Sequence, residues 1–195
     1  MKLLALSLNR RSMVCLFLAG LPACAYSAPI KLGGVGNFQK VDDGVYRGAQ
    51  PTDEGFAGLA KLGIRTVVDL REIGEHSQAG EQHAVEAAGM RYISVPMKGM
   101  SRPTDPQVSQ VIKLLNDKTA GPVFVHCRRG ADRTGAVIAC YRIGHDHWEA
   151  SKALAEARSL GMSWYQRALQ SYVLHYQLPA SMSMPALMAL PASAH

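Results

Sequence analysis

Apolar and polar positions along this chain follow two alternating rhythms. Short runs dense in apolar and β-branched residues, Ile64–Leu70, Arg91–Val95 and Val123–Val125, predict buried strands. Between them, apolar residues recur every three or four positions. Val108, Val111, Ile112, Leu114 and Leu115 mark one face of a helix, with Asp105 as its expected N-cap and Pro106 at its first position. Thr52 reads as the cap of a short helix from Glu54 to Leu62 that Gly63 ends, and Gln78–Ala88 as a second helix stopped by Gly89. Phe38–Val41 and Val45–Arg47 predict two short strands joined by the turn Asp42-Asp43-Gly44. Further helices are expected over 134–144, 148–160 and 164–177, and the Gly-rich stretch 31–37 reads as loose. Strands alternating with helices predict an α/β domain with a central, mostly parallel sheet flanked by helices. Such folds place ligands at the carboxyl ends of the strands.

The two ends of the chain break this rhythm. Lys2, Arg10 and Arg11 precede an apolar run from Met13 to Ala25, and Ala23-Cys24-Ala25 fits a small-x-small cleavage site. Residues 1–28 therefore read as a secretory signal peptide, with periplasmic or secreted localisation expected. The apolar run falls short of the roughly 20 residues a membrane span needs, so no stable span is expected after its removal. Lipid anchoring at Cys24 is the less favoured variant. The tail, 179–195, is rich in Pro, Ala, Met and Ser with almost no charge and reads as disordered. What remains suits one domain over 37–178.

Composition changes the picture in two places. Residues 1–28 hold three basic and no acidic side chains, so their removal lowers the formal charge from +6 to +3. The remaining excess gathers around Arg128, Arg129 and Arg133, which suggests an anionic-substrate pocket rather than a nucleic-acid surface. Of the four cysteines, Cys15 and Cys24 lie in the leader, leaving Cys127 and Cys140. On one helix Cys140 would stand about two turns beyond Thr134, too far from Cys127 for a disulfide.

The chemistry concentrates in Val123-Phe124-Val125-His126-Cys127-Arg128-Arg129-Gly130-Ala131-Asp132-Arg133-Thr134-Gly135. A cysteine attacks as a thiolate, which nearby donors and positive charge favour. A helix N-terminus supplies both, and a loop before it turns backbone N–H groups onto an anion. Arg133 offers a planar fork for two phosphate oxygens. Thr134 can donate its hydroxyl to the sulfur, and His126 is expected to orient the loop rather than act as base. The bland reading is a buried structural Cys with solvated arginines. Three arginines close to one Cys are hard to explain as packing.

This stretch resembles the Cys-x5-Arg phosphatases, the superfamily of protein tyrosine and dual-specificity phosphatases. Val45-Tyr46-Arg47-Gly48-Ala49-Gln50-Pro51 and Thr66-Val67-Val68-Asp69-Leu70-Arg71 resemble the opening of the small atypical dual-specificity type found in bacteria, fungi and plants. The resemblance implies a dual-specificity-phosphatase-like fold and a phosphomonoester hydrolase. In it Cys127 attacks phosphorus, a cysteinyl-phosphate forms and water hydrolyses it, with no metal or cofactor. Arg128, Arg129, Gly130, Ala131 and Lys98 are then substrate-binding candidates. Arg47 and Arg71 either assist the substrate or are surface arginines paired with Asp69 or Glu72.

One part of the family pattern is missing. The leaving group needs a proton, and general acid catalysis is typically worth about 10²–10⁴-fold. The family's Asp is expected near Lys98, where none stands. Asp105 lies in the right loop but suits helix capping. Asp132 lies in Gly130-Ala131-Asp132-Arg133-Thr134, which resembles the myotubularin lipid phosphatases, and is the preferred acid. Substrates expected are a phosphorylated protein, an inositol phosphate or a lipid headgroup. A phosphate-binding module without turnover and a rhodanese-type sulfurtransferase are the rivals.

Overall fold

The computed structural model describes residues 31–179. The leader 1–28 and the tail from 180 onward lie outside the described residues. The elements run β1 (Gln39–Lys40), β2 (Val45–Ala49), α1 (Asp53–Lys61), β3 (Thr66–Asp69), α2 (Gln78–Ala87), β4 (Arg91–Ser94), α3 (Asp105–Asn116), β5 (Val123–Cys127), α4 (Asp132–His145), α5 (Ala150–Ser159) and α6 (Arg167–Leu174), with a 3-10 turn at Lys118–Ala120 before β5. This is the α/β architecture the sequence predicts.

The five strands form one sheet in the order β1-β2-β5-β3-β4. β1 pairs antiparallel with β2, and the other pairs are parallel. β5 is central and buried along its whole length. Its side chains alternate between two cores. Val123, Val125 and Cys127 face α3 to α6, while Phe124 joins Phe56, Leu59, Val67 and Val85 under α1 and α2. A central parallel strand covered on both faces must be apolar throughout, which is why this run carries so little polar punctuation.

Four local expectations are corrected. The cap of α3 is Thr104, whose hydroxyl accepts from Gln107 N–H while Gln107 Oε1 accepts from Thr104 N–H. Asp105 is the first helical residue instead, and its Oδ1 accepts from the Tyr172 hydroxyl at 3.0 Å. Helix α4 starts at Asp132, two residues early, and α6 is shorter at both ends than 164–177. The stretch 31–37 is not loose. Gly36 and Gly34 carbonyls accept from Ala49 and Thr52 N–H, and Val35 is buried.

Cys127 and Cys140 are both free and buried. No helix among the described residues is long and apolar enough to cross a membrane.

Because Thr104 rather than Asp105 closes the helix start, Thr104→Ala should cost about 1 kcal/mol of unfolding free energy in urea titrations. A larger loss in Asp105→Ala than in Thr104→Ala would count against the capping assignment.

Candidate active site

The geometry of the site begins with carbonyls. Strand β5 ends at Cys127, 2 % exposed, and the chain turns through Arg128–Ala131 into α4. On the outside of that turn, Arg128 O accepts from Gln50 N–H at 3.3 Å. Gly130 O accepts from Asn37 Nδ2 at 3.0 Å and from Arg47 Nη2 at 2.5 Å. A trans peptide points its N–H opposite its C=O. Holding these two carbonyls outward therefore aims the N–H groups of Arg129 and Ala131 inward. Gly130 sits at φ 65°, and a Cβ there would collide with the backbone of Gly48. Only glycine meets both demands.

Helix α4 begins without a side-chain cap on its first turn. Its leading N–H groups are thus left for an anion in the loop, supported by the helix dipole. Thr134 is fully buried and its hydroxyl has no partner among the described residues, as suits a donor kept for the sulfur or a bound group.

Arg133 is 7 % exposed and held on three sides. Its Nη1 donates to Met97 O at 3.1 Å, Leu70 O at 3.4 Å and Glu75 Oε1 at 2.6 Å, and its Nη2 to Glu75 Oε2 at 3.0 Å. The Nε edge carries no such bond among the described residues. Burial works against the charge, but the Glu75 carboxylate and the neighbouring Cys127 raise the Arg133 pKa. The guanidinium is pre-aimed, with one edge free for two phosphate oxygens.

Glu75 had escaped the sequence reading. Its signal was positional, since it lies in the loop at the carboxyl end of β3, where parallel sheets gather their functional groups. Ser163 and Asn37 were likewise missed, because their partners are backbone groups or residues far away in sequence.

Asp132 is placed at the cradle but is committed elsewhere. Its Oδ1 accepts from Ser163 N–H at 2.8 Å, and its Oδ2 pairs with Arg129 Nη2, which also donates to Ser163 Oγ at 2.7 Å. In this arrangement it clamps the α5–α6 connection to the loop, with each oxygen already accepting one bond. Asp105 is not brought to the cradle. It bonds Tyr172, and its charge is felt by Cys140, farther along α4. Lys98 is exposed and follows Met97, which holds Arg133, so it stands on the rim. Arg128 is also exposed. Neither Lys98 nor Arg128 makes an ion pair among the described residues.

Behind the loop lies a buried polar cluster. His126 is 0 % exposed; its Nε2 lies 2.9 Å from Glu81 Oε1, off the line of a hydrogen bond, and its Nδ1 4.0 Å from Asp69 Oδ1. Arg71 pairs with Asp69, Nε to Oδ1 at 3.0 Å, and with Glu81. His76 Nε2 lies 2.9 Å from Asp69 Oδ2, which also accepts from the Tyr92 hydroxyl. Asp69, Glu81 and His126 offer donor atoms within 4.8 Å of one another. The Arg71 guanidinium already supplies the positive charge among them. Of the expectations for Arg47 and Arg71, the pairing of Arg71 with Asp69 is found, but neither arginine lies on the surface. Arg47 floors the loop and Arg71 belongs to this cluster, both below 10 % exposure.

A reactive-cysteine loop between a central parallel strand and an uncapped helix, with a guanidinium aimed across it, defines a Cys-x5-Arg phosphatase site. Comparison with known proteins agrees. The family described as DSP-PTPase phosphatase fused to NAD+ kinase matches residues 34–173. The inositol diphosphatase DSP3 of Arabidopsis thaliana is 31 % identical over 138 residues, 68 % of this chain and 66 % of that protein. The dual specificity protein phosphatase TpbA of Pseudomonas aeruginosa is 31 % identical over 126 residues, 64 % of this chain and 55 % of that protein. The chain thus spans about half to two thirds of the length of these relatives. The TpbA structure in complex with phosphotyrosine superposes with a TM-score of 0.64 at 26 % identity, covering 80 % of this chain and 93 % of that one. The core catalytic domain of the S. cerevisiae PP-IP phosphatase SIW14 has the same fold, with a TM-score of 0.65 at 23 % identity over 73 % of this chain and 86 % of that one. The chain belongs to the dual-specificity phosphatase family, in its small atypical bacterial form.

Two outcomes follow. Glu75→Gln keeps the shape but removes the charge that aims Arg133, so kcat on an aryl phosphate should fall about tenfold with the fold intact, and Glu75→Asp should recover part of it. A kcat unchanged in Glu75→Gln would remove the positioning role. The second concerns pH. Burial, only partly offset by Asp69, pushes the His126 pKa from 6.5 down to about 4. Between those values the unfolded chain binds the proton and the folded one does not. The stability His126 contributes is therefore complete above pH 6.5 and is lost as pH falls toward 4. Urea midpoints should drop across that window, and His126→Asn should flatten the drop.

Proposed function

We propose that the chain is an exported phosphomonoester hydrolase of the protein tyrosine/dual-specificity type, acting through a cysteinyl-phosphate. The observation that carries this is Cys127 at the end of β5, facing the uncapped start of α4 beside the free edge of Arg133. The inward N–H groups and Arg133 hold the three peripheral oxygens of the phosphate. Cys127 Sγ bonds to phosphorus as the ester P–O bond breaks, and the leaving group departs with the electron pair. Water then attacks phosphorus, the S–P bond breaks, inorganic phosphate leaves and the thiolate returns, with the Thr134 hydroxyl placed to stabilise it.

Proton supply limits the substrate. The two carboxylates at the cradle, Glu75 and Asp132, are tied to Arg133 and to Arg129 with Ser163. Leaving groups that depart without a proton, aryl phosphates foremost, are favoured over alkyl monoesters such as phosphoserine.

A second reading has its own support. Lys98 and Arg128 stand exposed at the rim without ion pairs among the described residues, which suits a ligand carrying several phosphates, such as an inositol phosphate. In a diphosphate the terminal phosphoryl group is taken by Cys127, and the inner phosphate leaves as a stable anion without a proton.

Export rests on the leader, Lys2 with Arg10-Arg11 before the run Met13 to Ala25. N-terminal sequencing of the protein from a periplasmic fraction reads it directly.

Phosphate release from para-nitrophenyl phosphate, a phosphotyrosine peptide, phosphoserine and inositol hexakisphosphate tests the reading, with Cys127→Ser and Asp132→Asn beside the intact chain under reducing conditions. Turnover should vanish in Cys127→Ser and favour aryl over alkyl esters. A loss in Asp132→Asn equal across leaving groups fits the clamp; a loss confined to alkyl esters restores Asp132 as acid. No turnover on any substrate, with vanadate still bound, would leave a phosphate-binding module.

A further inference from the structure

One side-chain amide is shared by two carbonyls from different elements. Asn37 Nδ2 donates to Gly130 O in the phosphate loop at 3.0 Å and to Leu160 O at 2.9 Å. Leu160 is the C-cap of α5, where helix carbonyls have lost their own partners. The backbone of Asn37 is bent to reach both. It stands at φ 49°, in the left-handed region that side chains resist and Asn tolerates better than most. Its two neighbours are fixed. Gly36 O accepts from Ala49 N–H at 2.7 Å, and Phe38 is buried, stacked on Tyr46 and Phe124 with ring centroids 5.9 and 6.1 Å away. A residue held in a sparsely populated conformation from both sides, with its side chain on an anion loop, is the kind of outlier from which a role is inferred.

We propose that Asn37 is a positioning residue for phosphate capture, which holds the Gly130 carbonyl out of the cradle and ties the loop to the end of α5. The proposal rests on the hydrolase reading and adds a residue to its site. A primary amide carries two N–H donors, and here each has a carbonyl to meet. A hydroxyl has one donor, and a carboxylate of the same shape has none.

Arg47 also donates to Gly130 O, but the two bonds do different things. Arg47 ties the loop to β2, whereas Asn37 ties it to α5. A second fastening lies just beyond, where Asp132 Oδ1 accepts from Ser163 N–H at 2.8 Å and Arg129 Nη2 donates to Ser163 Oγ at 2.7 Å. The short segment 160–163 is thus bound to the loop at both of its ends. Asn37 closes the first of these contacts from a part of the chain that lies before β1.

Two variants separate the amide from the backbone. Asn37→Gly adopts the left-handed conformation without strain and loses both donors. Asn37→Asp keeps the shape and turns oxygens onto two carbonyls. Steady-state rates with para-nitrophenyl phosphate, vanadate affinity by calorimetry and thermal melts are measured on the full chain. In Asn37→Gly, kcat/KM and vanadate affinity should each fall about tenfold, with melting within a few degrees of the parent. In Asn37→Asp at neutral pH the fall should be larger. Its rate relative to the parent at the same pH should recover as pH drops toward about 5, because a carboxyl facing two carbonyls gains a proton readily and can then donate it to one of them. A purely structural role would lower the melting temperature and show no such recovery. Parent-like kcat/KM and vanadate affinity in Asn37→Gly would overturn the proposal. So would losses that follow the melting temperature with no recovery of Asn37→Asp at low pH. If Asn37→Asp does not fold, Asn37→Gly decides. Failure of the underlying reading looks different: turnover that survives Cys127→Ser removes the hydrolase, while the vanadate comparison still judges Asn37.

Discussion

Arg47 holds the rest of the site in place. It is 1 % exposed beneath the phosphate loop and donates one of its N–H groups to the carbonyl of Gly130. Together with the Asn37 amide, that bond keeps a carbonyl from turning toward an incoming anion. Burial lowers the Arg47 pKa to about 10, so it stays charged at neutral pH despite having two buried nitrogens without a partner among the described residues. A buried cation of this kind is costly. The position on β2, next to β5, leaves it no other place to go.

The cluster behind the cradle works by the same logic. Asp69 at the end of β3, Glu81 on α2 and His126 on β5 are charged or polar groups in the part of the sheet where apolar residues would pack more cheaply. Arg71 pairs with Asp69 and Glu81 and so ties the end of β3 to α2, with His126 of β5 packed against both carboxylates. Buried ion pairs contribute little net stability, and what they add is geometric definition. Here they set the height at which Cys127 leaves the sheet, and the loop after β3 carries Glu75 to Arg133 from the same base.

Much of this was legible in the sequence. The strand-loop-helix around Cys127 is local, so its physics sits within thirteen consecutive residues, and the structure keeps those residues together. The α/β order followed from period alone. What escaped were contacts between distant parts. Thr104 and Asp105 are both good caps, and only the backbone turn before the helix decides between them. Arg47 reads as a surface residue because its strand is short and polar at one end. Glu75 looks like any acid in a polar loop until β3 is placed beside β5. Asp132 illustrates the limit most clearly: its place in the loop was visible, but the Ser163 N–H and the Arg129 side chain that occupy it were not.

The pins of the cradle come from both ends of the fold. Asn37 reaches Gly130 across 93 residues and Leu160 across 123. Contacts this distant close only after most of the chain is present, because their loop entropy must be met before they form. The inward-facing amides are therefore held by contacts that the thirteen-residue stretch cannot make by itself. Without those contacts Cys127 would sit on an unpinned loop, its inward N–H groups no longer aimed. The cradle is thus a property of the whole fold rather than of the thirteen residues that spell it, and it is complete only when Asn37 and Leu160 stand beside Gly130.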